Sequence, residues 1–237
     1  MRLLLTVCFV LISFAPALAQ NLRQMPSDFV DLHTLDRSIV VDIRYAGSHN
    51  FIGRPVPGYL AGKCYLTHRA AEAILGVQEQ LSNFGLSLEV YDCYRPQSAV
   101  DYFVRWGKDP NDIAMKQQFY PHVSKDELIP RGYIASPSSH SRGSTLDLTI
   151  VGNGAVAQSP SCGAFDPGTL DMGTGFDCFD EAAHVHAPGI SAQERANRML
   201  LQSLMVQAGF KPLPEEWWHF TLKDEPYPST YFDFPVK

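Results

Sequence analysis

The stretch Ser138-Ser139-His140-Ser141-Arg142-Gly143-Ser144-Thr145-Leu146-Asp147 carries the reading of this chain. Small polar residues around Gly143 mark a turn, and residues 145–151 read as a short strand. His140 and Asp147, with six residues between them, straddle that turn, so a nitrogen and an oxygen ligand can meet at one point. A second stretch, Glu215-Glu216-Trp217-Trp218-His219, offers another histidine with a carboxylate three residues before it. His140, Asp147 and His219 together make an N/O/N ligand set for zinc that leaves a fourth position for water. Glu216 is then free to act as base. Pro212 and Pro214 argue against a helix here. In a regular strand, positions i and i+3 face opposite ways, so a bend or bulge is expected to turn both side chains inward. The plain alternative is an ordinary pair of core or surface histidines.

Working outward, Val40-Val41-Asp42-Ile43-Arg44-Tyr45 reads as a strand, followed by a Gly/Pro-rich loop to about Gly62. Thr67 is placed to cap a helix reaching about Asn83, with Ala71, Ile74, Leu75, Gln78 and Leu81 near one face and Gly85 past its end. Leu88-Glu89-Val90-Tyr91-Asp92 alternates as a strand and leads into Tyr94-Arg95-Pro96. Pro96 suits the first turn of a second helix ending near Trp106-Gly107. Residues 108–140 are polar and irregular, and residues 152–190 read as long loops of the kind that often bind ligands. Ser191 and Glu194 form a capping box for a helix to Ala208, closed by Gly209. Residues 217–222 are the last expected strand. Without a repeat, a linker or a regular βα alternation, the expectation is one α+β domain with a largely antiparallel sheet packed with helices.

With 237 residues, 45% hydrophobic and 19% charged, the composition is that of a globular protein. A formal charge of −6 argues against nucleic acid and against anionic membrane surfaces. Residues 1–19 read as a secretory leader: Met1-Arg2, an apolar run to Phe14, and Ala17-Leu18-Ala19 before a cut at Gln20. No later run approaches the roughly eighteen apolar residues of a membrane span. The mature chain is then residues 20–237, exported and expected in the periplasm.

Loss of the leader removes Cys8 and leaves Cys64, Cys93, Cys162 and Cys178, an even number entering an oxidising space. No CxxC pair is present. Sequence alone selects none of the three possible pairings. The favoured one joins Cys162 to Cys178, both in the Gly-rich loop region, and Cys64 to Cys93; buried thiols are the competing reading. His184 and His186 form a His-x-His pair expected on a loop rather than at a second metal. Gly152-Asn153-Gly154 is too short for a dinucleotide loop, and Trp217-Trp218 is expected to pack on either side of the last strand.

Four ordered blocks resemble the D-alanyl-D-alanine dipeptidase family, the VanX-type zinc peptidases of family M15. They are Asp42-Ile43-Arg44-Tyr45 with Asn50-Phe51, Tyr91-Asp92-Cys93-Tyr94-Arg95-Pro96, Asp171-Met172-Gly173-Thr174-Gly175-Phe176-Asp177, and Glu216-Trp217-Trp218-His219, beside the segment quoted first. The resemblance implies a D,D-peptidase/hedgehog-like fold with the zinc site at the sheet, and one zinc per chain held by His140, Asp147 and His219. It implies Glu216 as general base and Arg95 as the group that stabilises charge on the scissile carbonyl. Ser138 and Asp177 match positions that hold the substrate's amino end. The family commonly has Ala where Thr145 stands, a change that removes no chemistry. The implied substrate is a small D,D-dipeptide, with Arg142 or Arg44 as candidates for its carboxylate. Two rivals share much of this pattern: a zinc D,D-carboxypeptidase or L,D-peptidase trimming peptidoglycan stems, and a non-catalytic cell-wall peptide binder. The oligomeric state is left open.

Overall fold

A computed structural model describes residues 22–152, 160 and 162–237. Residues 1–19, read above as a leader, lie outside these, as do Asn153 and Gly154. In chain order the elements are β1 (Phe29–Asp31), α1 (Leu32–Leu35), β2 (Val40–Val41), β3 (Tyr65–Thr67), α2 (His68–Ser82), β4 (Leu86–Asp92) and α3 (Gln97–Gly107). Then come α4 (Lys116–Phe119), β5 (Thr145–Gly152), α5 (Ala192–Gln207), β6 (Phe210–Leu213) and β7 (Glu216–Leu222). They form a mixed α/β single domain. Its main sheet has five strands in the order β2-β4-β5-β7-β6, all antiparallel except β2 beside β4, and β1 and β3 form a separate antiparallel pair.

Local chemistry explains the helices. Thr67 caps α2, and Ala70, Ala71, Ile74, Val77 and Leu81 bury one face of it. Gln78 is buried there too, because its side chain satisfies the Leu88 amide at 2.9 Å and bonds Ser38 and Ser87. The capping box of Ser191 and Glu194 starts α5 as the spacing requires. α2 lies against β4, and α5 against β6 and β7.

The expected strand at residues 40–45 is shorter in the structure. β2 ends at Val41, and the chain enters a 3-10 turn at Arg44–Ala46. Asn50 holds that turn, its amide lying within hydrogen-bond distance of the carbonyls of Arg44 (3.1 Å), Gly47 (2.8 Å) and Arg54 (3.1 Å). A side chain that captures backbone carbonyls removes them from a ladder. β6 is an addition: Pro212 lies within it, tolerated because β6 is the edge of the sheet.

Two irregularities matter most. Between β4 and β5 the register shifts after Val90, so Asp92 stands opposite Asp147. Between β6 and β7 it shifts again, so Leu213 pairs with Glu216 while Pro212 pairs with Phe220. This is the bend anticipated between Glu216 and His219. Asp147 in turn pairs with His219, so Asp92, Asp147 and His219 form one row across three strands. Directly opposed side chains share a face of the sheet.

The turn that feeds β5 depends on Gly143. Its φ is +81°, and an added Cβ would overlap the buried Phe29 ring. Phe29 is itself wedged edge-on among Tyr94, Phe232 and Phe234 and cannot yield. Gly143→Ala is therefore expected to destabilise the protein by well over about 1 kcal/mol, read as a lower midpoint in a denaturant melt.

Candidate active site

His140 sits in a 3-10 turn, Ser139–Arg142, immediately before β5. Asp147 lies at the third position of that strand, on the opposite face from Leu146 and Leu148. His219 comes from β7. Their donor atoms converge: His140 Nε2 is 3.3 Å from Asp147 Oδ2, His219 Nδ1 is 3.0 Å from Asp147 Oδ1, and the two imidazole nitrogens are 3.3 Å apart. His140 Nδ1 lies 2.7 Å from the Cys93 carbonyl, the partner to which it donates, so its Nε2 lone pair faces the cluster. Ser139 Oγ lies 3.4 Å from Nε2 of His219, the nitrogen turned away from the cluster. Two imidazoles and a carboxylate with atoms so close, one imidazole already oriented by a carbonyl, are the donor set that suits zinc.

Glu216 approaches from the bulge, with Oε2 3.6 Å from His219 Nδ1. Glu215 is exposed and outside the cavity. Arg95 is fixed on Asp92, Nε and Nη2 each 2.9 Å from Oδ2, and its Nη2 is 3.7 Å from Asp147. The guanidinium also lies over the Tyr45 and Phe103 rings, 5.0 Å from each centroid. Tyr59 donates to the other Asp92 oxygen at 2.7 Å, so that buried carboxylate is fully engaged. Asp177 receives the Tyr45 hydroxyl at 3.0 Å.

These residues line one cavity of about 310 Å³. Arg95, Ser138, His140, Asp147, Asp177, Glu216 and His219, all proposed from sequence, face it together with Arg142. Phe51, Phe103, Tyr133 and Phe179 form apolar walls. Of the two arginines considered for a substrate carboxylate, Arg44 is excluded: it lies outside the cavity, buried in ion pairs with Asp166 and Asp42. Arg142 is present, but Glu225 grips it through Nε and Nη2 at 2.8 Å each.

The cavity is electrostatically poised. Burial pushes Glu216 up to about 8, with Asp147 and Asp177 adding to the effect and His219 opposing it. Burial likewise raises Asp177 well above the carboxylate range, helped by Asp147. Asp147 goes the other way: burial opposes its charge, but His140 and His219 outweigh it and hold the group low. Asp147, Asp177 and Glu216 line the cavity and Asp92 is bonded to Arg95. Arg142 is already paired with Glu225, so Arg95 is the one guanidinium left to these four carboxylates. The site is short of positive charge.

Sequence reasoning passed over Asp92, Tyr45 and Tyr59. Asp92 and Tyr45 stand inside the quoted blocks, but only the fold brings them beside Arg95 and Asp177. His184 and His186 belong to neither convergent ligand group among the described residues. Trp218 packs edge-on against Phe176, and Trp217 donates to Thr174 Oγ1 at 2.9 Å, as packing residues should. Both favoured disulfides, Cys64–Cys93 and Cys162–Cys178, are formed.

Residues of the site and the folded sheet define a hydrolytic peptidase, and the comparisons agree. Residues 25–237 match the Peptidase_M15 family model, described as D-ala-D-ala dipeptidase. The chain is 41% identical over 214 residues to a D-alanyl-D-alanine dipeptidase of Enterococcus faecium, covering 90% of this chain and all of that one. It is equally similar to one from Streptomyces coelicolor, and 30% identical to one from Escherichia coli over 83% of this chain and 85% of that one. The chain belongs to the D-alanyl-D-alanine dipeptidase family of M15 peptidases and is a dipeptidase.

A second convergence of carboxylates, Asp42, Glu89 and Asp166, has a different purpose. Arg44 supplies its cation, and Tyr91 lies under that guanidinium at 4.8 Å. Glu89 is buried, and burial, with Asp166 beside it and Arg44 opposing, pushes it up to about 7. The folded state thus binds a proton that the unfolded chain, near 4.5, releases, so stability falls as pH rises from about 4.5 through about 7. Glu89→Gln should raise thermal stability at pH 8, by up to about 3 kcal/mol, and change little at pH 4.5. Melts at the two pH values check this.

Proposed function

We propose that the chain is an exported, zinc-dependent dipeptidase that hydrolyses D-alanyl-D-alanine. The observation that carries the reading is the convergence of His140 Nε2, His219 Nδ1 and the Asp147 carboxylate, with Glu216 Oε2 3.6 Å from the second imidazole. His140, Asp147 and His219 would hold the ion, which when bound supplies Lewis acidity toward a carbonyl and a water molecule.

The remaining work falls to side chains of the chain itself. Glu216, beside the ligands and in a partly dry cavity, accepts the proton of the attacking water and returns it to the leaving amine. Arg95 donates to the oxygen that gains charge as the carbonyl becomes tetrahedral; Asp92 and Tyr59 hold it in place beforehand, so little reorganisation is needed. Asp177, with Tyr45 behind it, receives the substrate ammonium, and Ser138 lies along the same wall. The deficit of positive charge matches a divalent ion together with one ammonium. A small cavity lined by an acidic group beyond the ligand set supports a free dipeptide over a longer stem peptide. A zinc D,D-carboxypeptidase is the reading to separate, and turnover of dipeptide against pentapeptide separates them.

The test uses four variants of the full mature chain, measured for zinc content, melting and kcat on D-Ala-D-Ala. The parent should hold one zinc. His140→Ala should lose metal and activity together. Glu216→Gln should keep zinc and lose about 10²- to 10⁴-fold in rate, and Arg95→Ala should keep zinc and lose about 10²-fold or more. Glu215→Gln, on the exposed neighbour, should behave as the parent. Stoichiometric zinc in His140→Ala, or full activity in Glu216→Gln, overturns the assignment.

Residues 1–19 and the two disulfides support export, with the periplasm as destination. The mass of the protein from a periplasmic fraction should correspond to residues 20–237 without free thiols. A mass that includes residues 1–19, with four alkylatable cysteines, contradicts it.

A further inference from the structure

We propose that the two disulfides are positioning elements of the active site, each fixing a different half of it: Cys64–Cys93 the metal and arginine half, Cys162–Cys178 the half that holds the substrate's amino end. The inference rests on the zinc dipeptidase reading above. Both bridges lie in the core, with Cys64 and Cys178 fully buried and Cys93 and Cys162 nearly so.

Cys93 is the hub of the first half. Its carbonyl accepts His140 Nδ1–H at 2.7 Å, the contact that aims His140 Nε2 at Asp147. Asp92 precedes it and holds Arg95, which follows two residues later. Asp92, opposite Asp147, is the last paired residue of β4, so Cys93 and Tyr94 lie beyond the point where the ladder fixes the chain. What fixes it is lateral: Tyr94 N–H donates to the Tyr65 carbonyl at 3.0 Å, and Cys93 is bonded to Cys64 one residue before Tyr65. Cys64 is anchored in turn, its carbonyl accepting Leu32 N–H at 2.9 Å. Removing the bridge leaves two backbone hydrogen bonds, Tyr94 N–H to Tyr65 O and a long one of 3.4 Å from Arg95 N–H to His140 O, to set the carbonyl that orients a metal ligand. Partners of this kind, one step removed from an ion, are worth about 10- to 100-fold in metal affinity.

The second half repeats the device in a loop. Asp177 has a φ of +58°, in the left-handed region, and lines the cavity with the carboxylate proposed to receive the substrate's ammonium. The next residue is Cys178, bonded to Cys162. Alongside, Ala164 N–H donates to Phe176 O and Gly175 N–H to Cys162 O, each at 2.8 Å, and the two backbones approach so closely that a Cβ on Gly175 would strike Ala164. The bridge closes this small ladder at the end nearer Asp177. The disulfides therefore address different quantities: the first, metal affinity and rate; the second, recognition of the ammonium.

The test compares Cys64→Ala/Cys93→Ala with Cys162→Ala/Cys178→Ala in the mature chain, with fold checked by circular dichroism. Should the first pair not fold, Cys64→Ala/Cys93→Val restores core volume in its place, and Cys162→Val/Cys178→Ala serves for the second. Zinc affinity is measured by competition with a chromogenic chelator, and kcat and KM on D-Ala-D-Ala at saturating zinc. The first variant should bind zinc about tenfold or more weakly and lose kcat, with KM little changed. The second should keep parental zinc affinity and raise KM severalfold. Both variants melt lower under any account, so melting does not decide; the split does. Parental zinc affinity and KM in both folded variants, or identical losses in both, overturn the proposal. A parent that binds no zinc overturns the underlying reading instead, and the chelator titration of the parent tells the two failures apart.

Discussion

Asp147 is a buried carboxylate on the central strand of the sheet, and the arrangement around it follows from the need to match its charge. An ionised group that deep is tolerated only when paired and hydrogen-bonded. Two imidazoles meet its two oxygens, one from the turn that feeds its own strand and one from the neighbouring strand. The β4 bulge sets Asp92 against it and thereby brings Arg95 within reach. The β7 bulge turns Glu216 to the same side as His219. Both irregularities in the antiparallel run β4-β5-β7-β6 serve groups around this one residue, as bulges near active sites commonly do.

The division of labour between sheet and loops is equally clear. Residues proposed to bind the ion or meet the developing charge come from strand positions or from segments hydrogen-bonded directly to strands, where small displacements are resisted. The group proposed to recognise the amino end, Asp177, comes from a loop with little regular structure, held by a bridge and a short backbone ladder. Recognition can thus change among relatives by loop substitution while the hydrolytic apparatus keeps its geometry.

The sequence made much of this legible, for identifiable reasons. α2 and α5 could be read because Thr67, Ser191 and Glu194 are capping residues whose effect is local. The need for a bend between Glu216 and His219 followed from strand periodicity alone. The extent of β2 did not, because the turn that follows it at Arg44–Ala46 is held by the Asn50 side chain, a contact that composition does not announce. β6 was hidden by Pro212, which argues against a strand unless the edge position is known. Asp92 and Tyr45 went unassigned because their roles depend on partners far along the chain, Asp147 and Asp177. Arg44 misled for the converse reason: a buried arginine in a matching block serves Asp166 and Asp42 rather than a substrate.

The charge deficit of the cavity also explains how selectivity for a free amino end can arise without an elaborate binding surface. Burial drives Asp177 toward its neutral form, with Asp147 reinforcing the effect. An arriving ammonium restores the ionised carboxylate and gains a charge-assisted hydrogen bond in a poorly solvated cavity. A peptide blocked at its amino end leaves Asp177 protonated and forgoes that charge-assisted bond. The excess of acid in the cavity thus suits both proposed cations, the ion at its histidine and aspartate ligands and the ammonium at Asp177.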